Sequence, residues 1–149
     1  MADVSDSAIA AAYDDVRSDK SETNWLLLDY QGDRSDKLGV TATGSGGLEE
    51  LKGHLKDENA SFAYVRVKYT IDTESFREKF ILVTWIGSGV KVMRKAKLSV
   101  HAADVKKVLR VYSVDVPANS AADLSEAPIV ERLKKAGGAD YSATLKGRA

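Results

Sequence analysis

The chain of 149 residues contains no cysteine. This absence excludes disulfide frameworks, cysteine-ligated zinc sites, iron–sulfur clusters and thiol catalysis. Histidine is also scarce, since His54 and His101 are the only two, and their spacing matches no metal-binding or catalytic-triad pattern. We therefore expect no metal and no cofactor, and an enzyme is the weakest functional interpretation.

Long hydrophobic runs are missing as well. No stretch approaches the about 20 apolar residues of a membrane-spanning helix. The first residues include Asp3 and Asp6 instead of the basic start of a secretory signal. The content of 44% hydrophobic and 30% charged residues is typical of a soluble globular domain. These features predict a cytoplasmic protein with no integral membrane association.

The chain has no net charge, because 22 Lys and Arg residues balance 22 Asp and Glu residues. This balance argues against a general nucleic-acid binder. The charges are nevertheless unevenly distributed: residues 1–36 contain three basic and nine acidic residues, whereas residues 66–110 contain eleven basic and four acidic. The basic segment has two interpretations, an ordinary solvated surface or a docking surface for an acidic partner.

Hydrophobic periodicity predicts a single α/β domain. Apolar residues at helical spacing predict helices at 7–17, 48–55 and 90–110 and a last helix that begins near Ser120. Strand-like runs lie at 24–30, 37–43, 60–70, 79–87 and 112–116. The run at 79–87 is apolar on both faces, which is typical of a central strand covered by helices on both sides. The order of elements predicts one mixed sheet between helices.

The long helix at 90–110 carries apolar residues on two different sides. The stripe in its first half comprises Val92, Met93, Ala96, Val100 and Ala103. The stripe in its second half comprises His101, Val105, Val108 and Leu109. One straight helix cannot bury both stripes against one sheet. We therefore predict a kink between Ser99 and Ala103.

Basic residues occupy the side of this helix that is opposite the first stripe. They are Lys91, Arg94, Lys95 and Lys97, and Leu98 lies among them. If the first stripe is buried, Leu98 is the exposed apolar centre of a basic docking face. The alternative is an isolated surface leucine without a function.

Five segments resemble the actin-depolymerising-factor homology family and, within it, the coactosin type. They are AAYDDVR at 11–17, NWLLLDYQGD at 24–33, FAYVRV at 62–67, KFILVTWIG at 79–87 with VMRKAK at 92–97, and LKKAGGADY at 133–141. The segments follow the family's order and span nearly the whole chain. The resemblance implies one domain over residues 1–138, with a mixed sheet of five to six strands and about four helices, followed by a flexible tail over 139–149.

The same resemblance implies a monomeric, non-catalytic protein that binds the sides of actin filaments with weak or no severing. Lys79 is implied to be central to this contact, with Arg77 beside it. The front of the long helix is implied to enter a cleft of actin, which assigns Arg94, Lys95 and Lys97 to the contact. Lys91 and Leu98 are added from the charge pattern described above. We expect all these residues to form one basic face around Lys79 and the start of the helix.

Two alternatives use the same basic face. One is a cofilin-like factor that severs filaments or sequesters monomers. The other is a module that binds acidic phosphoinositides. The chain lacks the phosphorylatable serine arrangement of cofilins near residue 1, and its segment 39–47 departs from the family pattern.

Overall fold

The structure, a computed structural model, describes residues 2–32, 34–71 and 75–136. The helices are α1 Ser7–Arg17, α2 Gly47–Lys52 and α3 Val92–Val108. The strands are β1 Trp25–Tyr30, β2 Leu38–Gly44, β3 Ala60–Thr70, β4 Phe76–Ile86 and β5 Val114–Ala118. A 3-10 turn at Ala121–Leu124 precedes a last helix, α4, over residues 126–136. The predicted tail at 139–149 lies outside the described residues.

The five strands form one sheet in the order β2-β1-β3-β4-β5. Neighbouring strands are antiparallel except for β4 and β5, which are parallel, with Ile81 opposite Val114. A parallel pair needs a crossover connection, and α3 is that connection. The prediction of one mixed sheet flanked by helices is confirmed.

Alternation along β3 divides the core into two layers, as its period of two requires. Val65 and Val67 face a cluster that contains Leu51 of α2 and Leu133 of α4. Phe62 and Tyr64 face the opposite cluster, which contains Ile9 and Val16 of α1 and Leu98 and Val105 of α3. Strand β4 contributes to both clusters, with Ile81 and Val83 on one face and Leu82 on the other. This explains why the run at 79–87 is apolar throughout.

Local signals place the helix starts, with one correction. Asp6 is the N-cap of α1, and its Oδ1 accepts a hydrogen bond from the Ala8 N–H at 2.9 Å. The last helix was expected to begin near Ser120, but Ser120 is the N-cap of the 3-10 turn and Asp123 lies within that turn. The last helix begins after Ser125, so Pro128 lies in its first turn, where the missing N–H of proline costs nothing.

The prediction for α3 was wrong in its phase. The helix is uninterrupted from Val92 to Val108. The expected inner stripe is exposed, with Val92 at 79%, Met93 at 76% and Val100 at 59% exposure, whereas Leu98 is only 2% exposed. From Leu98 onward, a single inner stripe of Leu98, His101, Val105 and Leu109 is buried, so the reason for expecting a kink no longer holds.

No helix within the described ranges has both the length and the apolar character that crossing a membrane requires.

Candidate functional site

Lys79 and the front of α3 lie at opposite ends of the sheet. Strand β4 runs from Phe76 to Ile86, and α3 begins after the following turn and returns antiparallel to the strand, toward the start of β5. Lys79 is seven residues before Ile86, which corresponds to about 23 Å at roughly 3.3 Å per residue. The expectation of one basic face is therefore wrong, because the length of β4 between Lys79 and Ile86 separates Lys79 from the start of α3. The structure presents two surfaces instead.

The first surface is the outward side of α3 and is called here the helix surface. It consists of Lys91, Val92, Met93, Lys95, Ala96 and Val100, all of which are exposed. Of the ion pairs between described residues, none involves Lys91 or Lys95. The surface therefore combines an apolar stripe with two lysines available to a partner. Leu98, assigned to this contact from the sequence, points into the core and is not part of it.

Arg94 was also expected in the contact, but its guanidinium is engaged within the chain. Its Cζ lies 3.8 Å from the centre of the Tyr30 ring. Nη2 donates to the carbonyl oxygens of Gly32 at 3.3 Å and Ser35 at 3.1 Å. The side chain is 14% exposed. Arg94 therefore ties α3 to the β1–β2 turn and supports the helix surface from behind.

Three basic side chains lie close to the carboxylate of Asp36, which belongs to the same turn. Its Oδ1 lies 3.6 Å from Nη1 of Arg94, 3.7 Å from Nζ of Lys97 and 3.8 Å from Nε2 of His101. The side chain of Lys97 is still 49% exposed, so it lies at the rim of the helix surface with part of its charge already compensated. The free positive charge of the front of α3 is thus concentrated on Lys91 and Lys95.

His101 lies on the inward side of α3 and is nearly inaccessible to solvent. Its Nδ1 is 2.6 Å from the Tyr30 hydroxyl. Burial lowers the pKa of His101, and the nearby carboxylate of Asp36 opposes that shift. A neutral imidazole in this place avoids a further positive charge beside Arg94. The neighbouring Asp104 is also buried and accepts a hydrogen bond from the Ala2 N–H at 2.9 Å.

The TWIG segment fixes where α3 begins. The Gly89 N–H donates to the Asp57 carbonyl at 2.8 Å, and the Trp85 indole N–H donates to the Lys56 carbonyl at 2.9 Å. A Cβ atom at Gly87 would lie 2.1 Å from the Asp57 oxygen, so only glycine permits this approach. These contacts anchor the start of α3 to the loop before β3.

The second surface is the end of the β3–β4 hairpin and is called here the hairpin surface. It includes both faces of the hairpin end: Arg77 and Lys79 lie on the face that is directed toward α4, and Lys68 and Phe76 lie on the other face. Ile71 and Lys134 of α4 are the other exposed members. Lys79 is half-buried opposite Val67, and Arg77 is exposed. Ile71 is 48% and Phe76 54% exposed, and the Lys68 ammonium lies 3.9 Å from the centre of the Phe76 ring. The surface is therefore both apolar and basic.

A groove of about 440 Å³ separates this hairpin from α4. It is lined by Lys68, Tyr69, Thr70, Phe76, Glu126, Val130 and Lys134. Periodicity did not single out Ile71 or Phe76, because it predicted that β4 begins at residue 79, three residues after its observed start at Phe76. The sequence did contain a signal for this surface, namely the apolar residues Ile71 and Phe76 on either side of a polar segment. Among the described residues, no cluster of three or more potential ligands could hold a metal ion.

Comparisons with known proteins agree with this architecture. Residues 1–134 match the family described as cofilin/tropomyosin-type actin-binding protein. Coactosin from Dictyostelium discoideum is 41% identical over 143 residues, which cover 95% of this chain and 96% of that protein.

Two solved structures show the same fold. The crystal structure of coactosin from Entamoeba histolytica has a TM-score of 0.81 at 34% identity and covers 89% of this chain and 95% of its own. The solution structure of mouse coactosin, described as an actin filament binding protein, has a TM-score of 0.74 at 32% identity and covers 96% of this chain and 97% of its own. The chain belongs to the cofilin/tropomyosin-type family of actin-binding proteins.

Proposed function

We propose that this protein binds the sides of actin filaments through the helix surface and the hairpin surface, and that it does so without catalysis. The observation that carries the proposal is the presence of two exposed surfaces, each apolar and basic, at opposite ends of one sheet. Mouse coactosin, a relative with the same fold, is described as an actin filament binding protein.

The helix surface supports the proposal through its apolar stripe. Soluble chains rarely leave several large apolar side chains exposed side by side unless they mark an interaction site. Val92 and Met93 are 79% and 76% exposed, and Val100 extends the stripe by two turns. An amphipathic helix of this kind fits into an apolar groove, with Lys91 and Lys95 pairing with acidic groups at the groove's edge.

The hairpin surface supports the proposal through Lys79. Its half-buried position against Val67 restricts the side chain, so less conformational entropy is lost when the ammonium pairs with a carboxylate of a partner. A charged pair formed in a partly dry environment contributes more than one at an open rim.

The separation of the two surfaces favours a filament over a single small partner. Lys79 and the end of β4 are about 23 Å apart, and the sheet between them is continuous. A filament presents copies of the same subunit side by side, so both surfaces can be occupied at once and their binding energies combine. We further propose that the chain acts as a monomer in the cytoplasm and decorates filaments with weak or no severing.

Co-sedimentation with actin filaments over a salt series tests this proposal. We expect saturable binding that weakens as salt rises, because the two surfaces contribute charged contacts that salt screens. Filament length by fluorescence microscopy should stay unchanged; marked shortening would favour the severing alternative. Absence of binding at every salt concentration, together with binding to phosphoinositide vesicles, would overturn the proposal in favour of the lipid-binding alternative.

A further inference from the structure

Sulfur is almost absent from this chain, and among the described residues it is exposed at one position. There is no cysteine, and the methionines are Met1 and Met93. Met93 lies in the first turn of α3 and is 76% exposed. Among the described residues it is therefore the one sulfur atom that a dissolved oxidant can reach.

Met93 also occupies the apolar stripe of the helix surface. Val92 precedes it, and Val100 lies two turns further along the same side of the helix. A thioether suits this position because it is apolar, flexible and polarisable, and it adapts to the shape of a partner's groove. Oxidation to the sulfoxide makes the same side chain polar and chiral.

We propose that Met93 is a redox modification site whose oxidation releases the helix surface from its partner; the inference rests on the filament binding proposed above. A hydroperoxide is the oxidant. The thioether sulfur attacks one peroxide oxygen, the O–O bond breaks, an S–O bond forms, and the other oxygen leaves as water when the oxidant is hydrogen peroxide. The sulfur loses two electrons and the peroxide gains them. A dithiol-dependent methionine sulfoxide reductase reverses the change and releases water and a disulfide.

Because Met93 lies outside the core, its oxidation can weaken binding without unfolding the protein. The side chain contributes little to either core cluster, so a sulfoxide there leaves the packing of α3 intact. The two tryptophans, the other side chains sensitive to strong oxidants, are buried, with Trp25 at 0% and Trp85 at 4% exposure. Mild peroxide should therefore change the helix surface without damaging the core.

The test treats the isolated protein with hydrogen peroxide, removes the oxidant, and only then adds actin filaments. Peptide mass spectrometry identifies the oxidised methionine. We expect the Met93 sulfoxide to bind filaments about tenfold more weakly, which corresponds to about 1.4 kcal/mol, with an unchanged melting temperature. Treatment with methionine sulfoxide reductase should restore binding.

Two variants make the result specific. Met93→Leu keeps the apolar side chain, removes the sulfur and should bind normally before and after peroxide. Met93→Gln should bind weakly without any oxidant. The inference is overturned if the sulfoxide form binds as tightly as the untreated protein, if treated Met93→Leu loses binding, or if the loss accompanies a lower melting temperature. Failure of the untreated protein to bind filaments would instead refute the proposed function.

Discussion

The guanidinium of Arg94 lies over the ring of Tyr30, with its Cζ 3.8 Å from the ring centre. This contact joins the long helix to the first strand across a separation of 64 residues in the sequence. The next residue, Lys95, is turned by about 100° around the helix axis and is exposed. Two adjacent basic residues of one motif therefore differ: Arg94 is engaged within the fold, whereas Lys95 is exposed and is proposed to contact the partner.

Substitution of Arg94 by alanine should lower the free energy of unfolding by about 2 kcal/mol, because a cation–π contact and hydrogen bonds to the β1–β2 turn are lost together. Lys95→Ala should change this free energy by less than about 0.5 kcal/mol, as exposed substitutions usually do, and should weaken filament binding. Urea denaturation and co-sedimentation measure the two effects. Equal stability of the two variants would contradict the division of roles.

A second pair of neighbours in α3 makes the same distinction for apolar residues. Leu98→Ala should cost about 2–4 kcal/mol of stability, because it leaves a cavity in the core between α3 and the sheet. Val100→Ser should be nearly neutral for stability because Val100 is 59% exposed, yet it should weaken binding. Thermal unfolding and co-sedimentation of both variants check the prediction. A strongly destabilised Val100→Ser would show that the phase of α3 described above is incorrect.

Leu98 and Val100 also show why periodicity predicted the wrong buried side of α3. Apolar residues in the first half of α3 are more numerous on the outward side than on the inward side, so periodicity favoured the wrong stripe. The inward side contains Arg94, His101 and Asp104, which look like surface residues but find partners in Tyr30, Asp36 and the Ala2 backbone. These partners come from other elements, and no local pattern reveals them.

Lys79→Ala should reduce filament binding severely while leaving the fold intact. Lys79 is half-buried opposite Val67, and loss of a charge from a buried, paired contact costs about 2–5 kcal/mol. Lys20→Ala, at an exposed position in the loop after α1, is the matched control and should bind normally. Circular dichroism verifies folding. Wild-type binding by a folded Lys79→Ala would remove Lys79 from the contact.

The stability of the protein should fall in mild acid because of His101. Burial lowers its pKa in the folded state, so the unfolded chain binds more protons once the pH drops below the usual histidine value of about 6.5. The contribution is fully present above that pH and is lost as the pH falls through the lower folded pKa, with a slope of at most about 1.4 kcal/mol per pH unit.

The variant His101→Gln tests this dependence, since its amide oxygen can still accept from the Tyr30 hydroxyl. Its free energy of unfolding should vary less between pH 7 and pH 5 than that of the wild type. His54→Gln, at an exposed position, should retain the acid dependence of the wild type. The same pH slope in wild type and His101→Gln would show that His101 does not cause it.

The architecture itself was accessible from the sequence because the signals were local. The helix predicted at 7–17 and the strand predicted at 60–70 are both present with these bounds. The candidate site was only partly accessible. Both Lys79 and Lys95 lie at the surface. Their placement at opposite ends of the sheet, however, depends on the path of α3 across the sheet, which no local pattern predicts.

The crossover formed by α3 has a consequence for selectivity. Because β4 is paired on both sides, by β3 and by β5, the distance from Lys79 to the turn before α3 cannot stretch, and removing a single residue from the strand would shorten it and turn Lys79 to the other face. If both surfaces bind at once, β4 fixes the distance between the two contacts. Only subunits held at a matching spacing satisfy both contacts, so the protein would distinguish an ordered polymer from the same subunits free in solution.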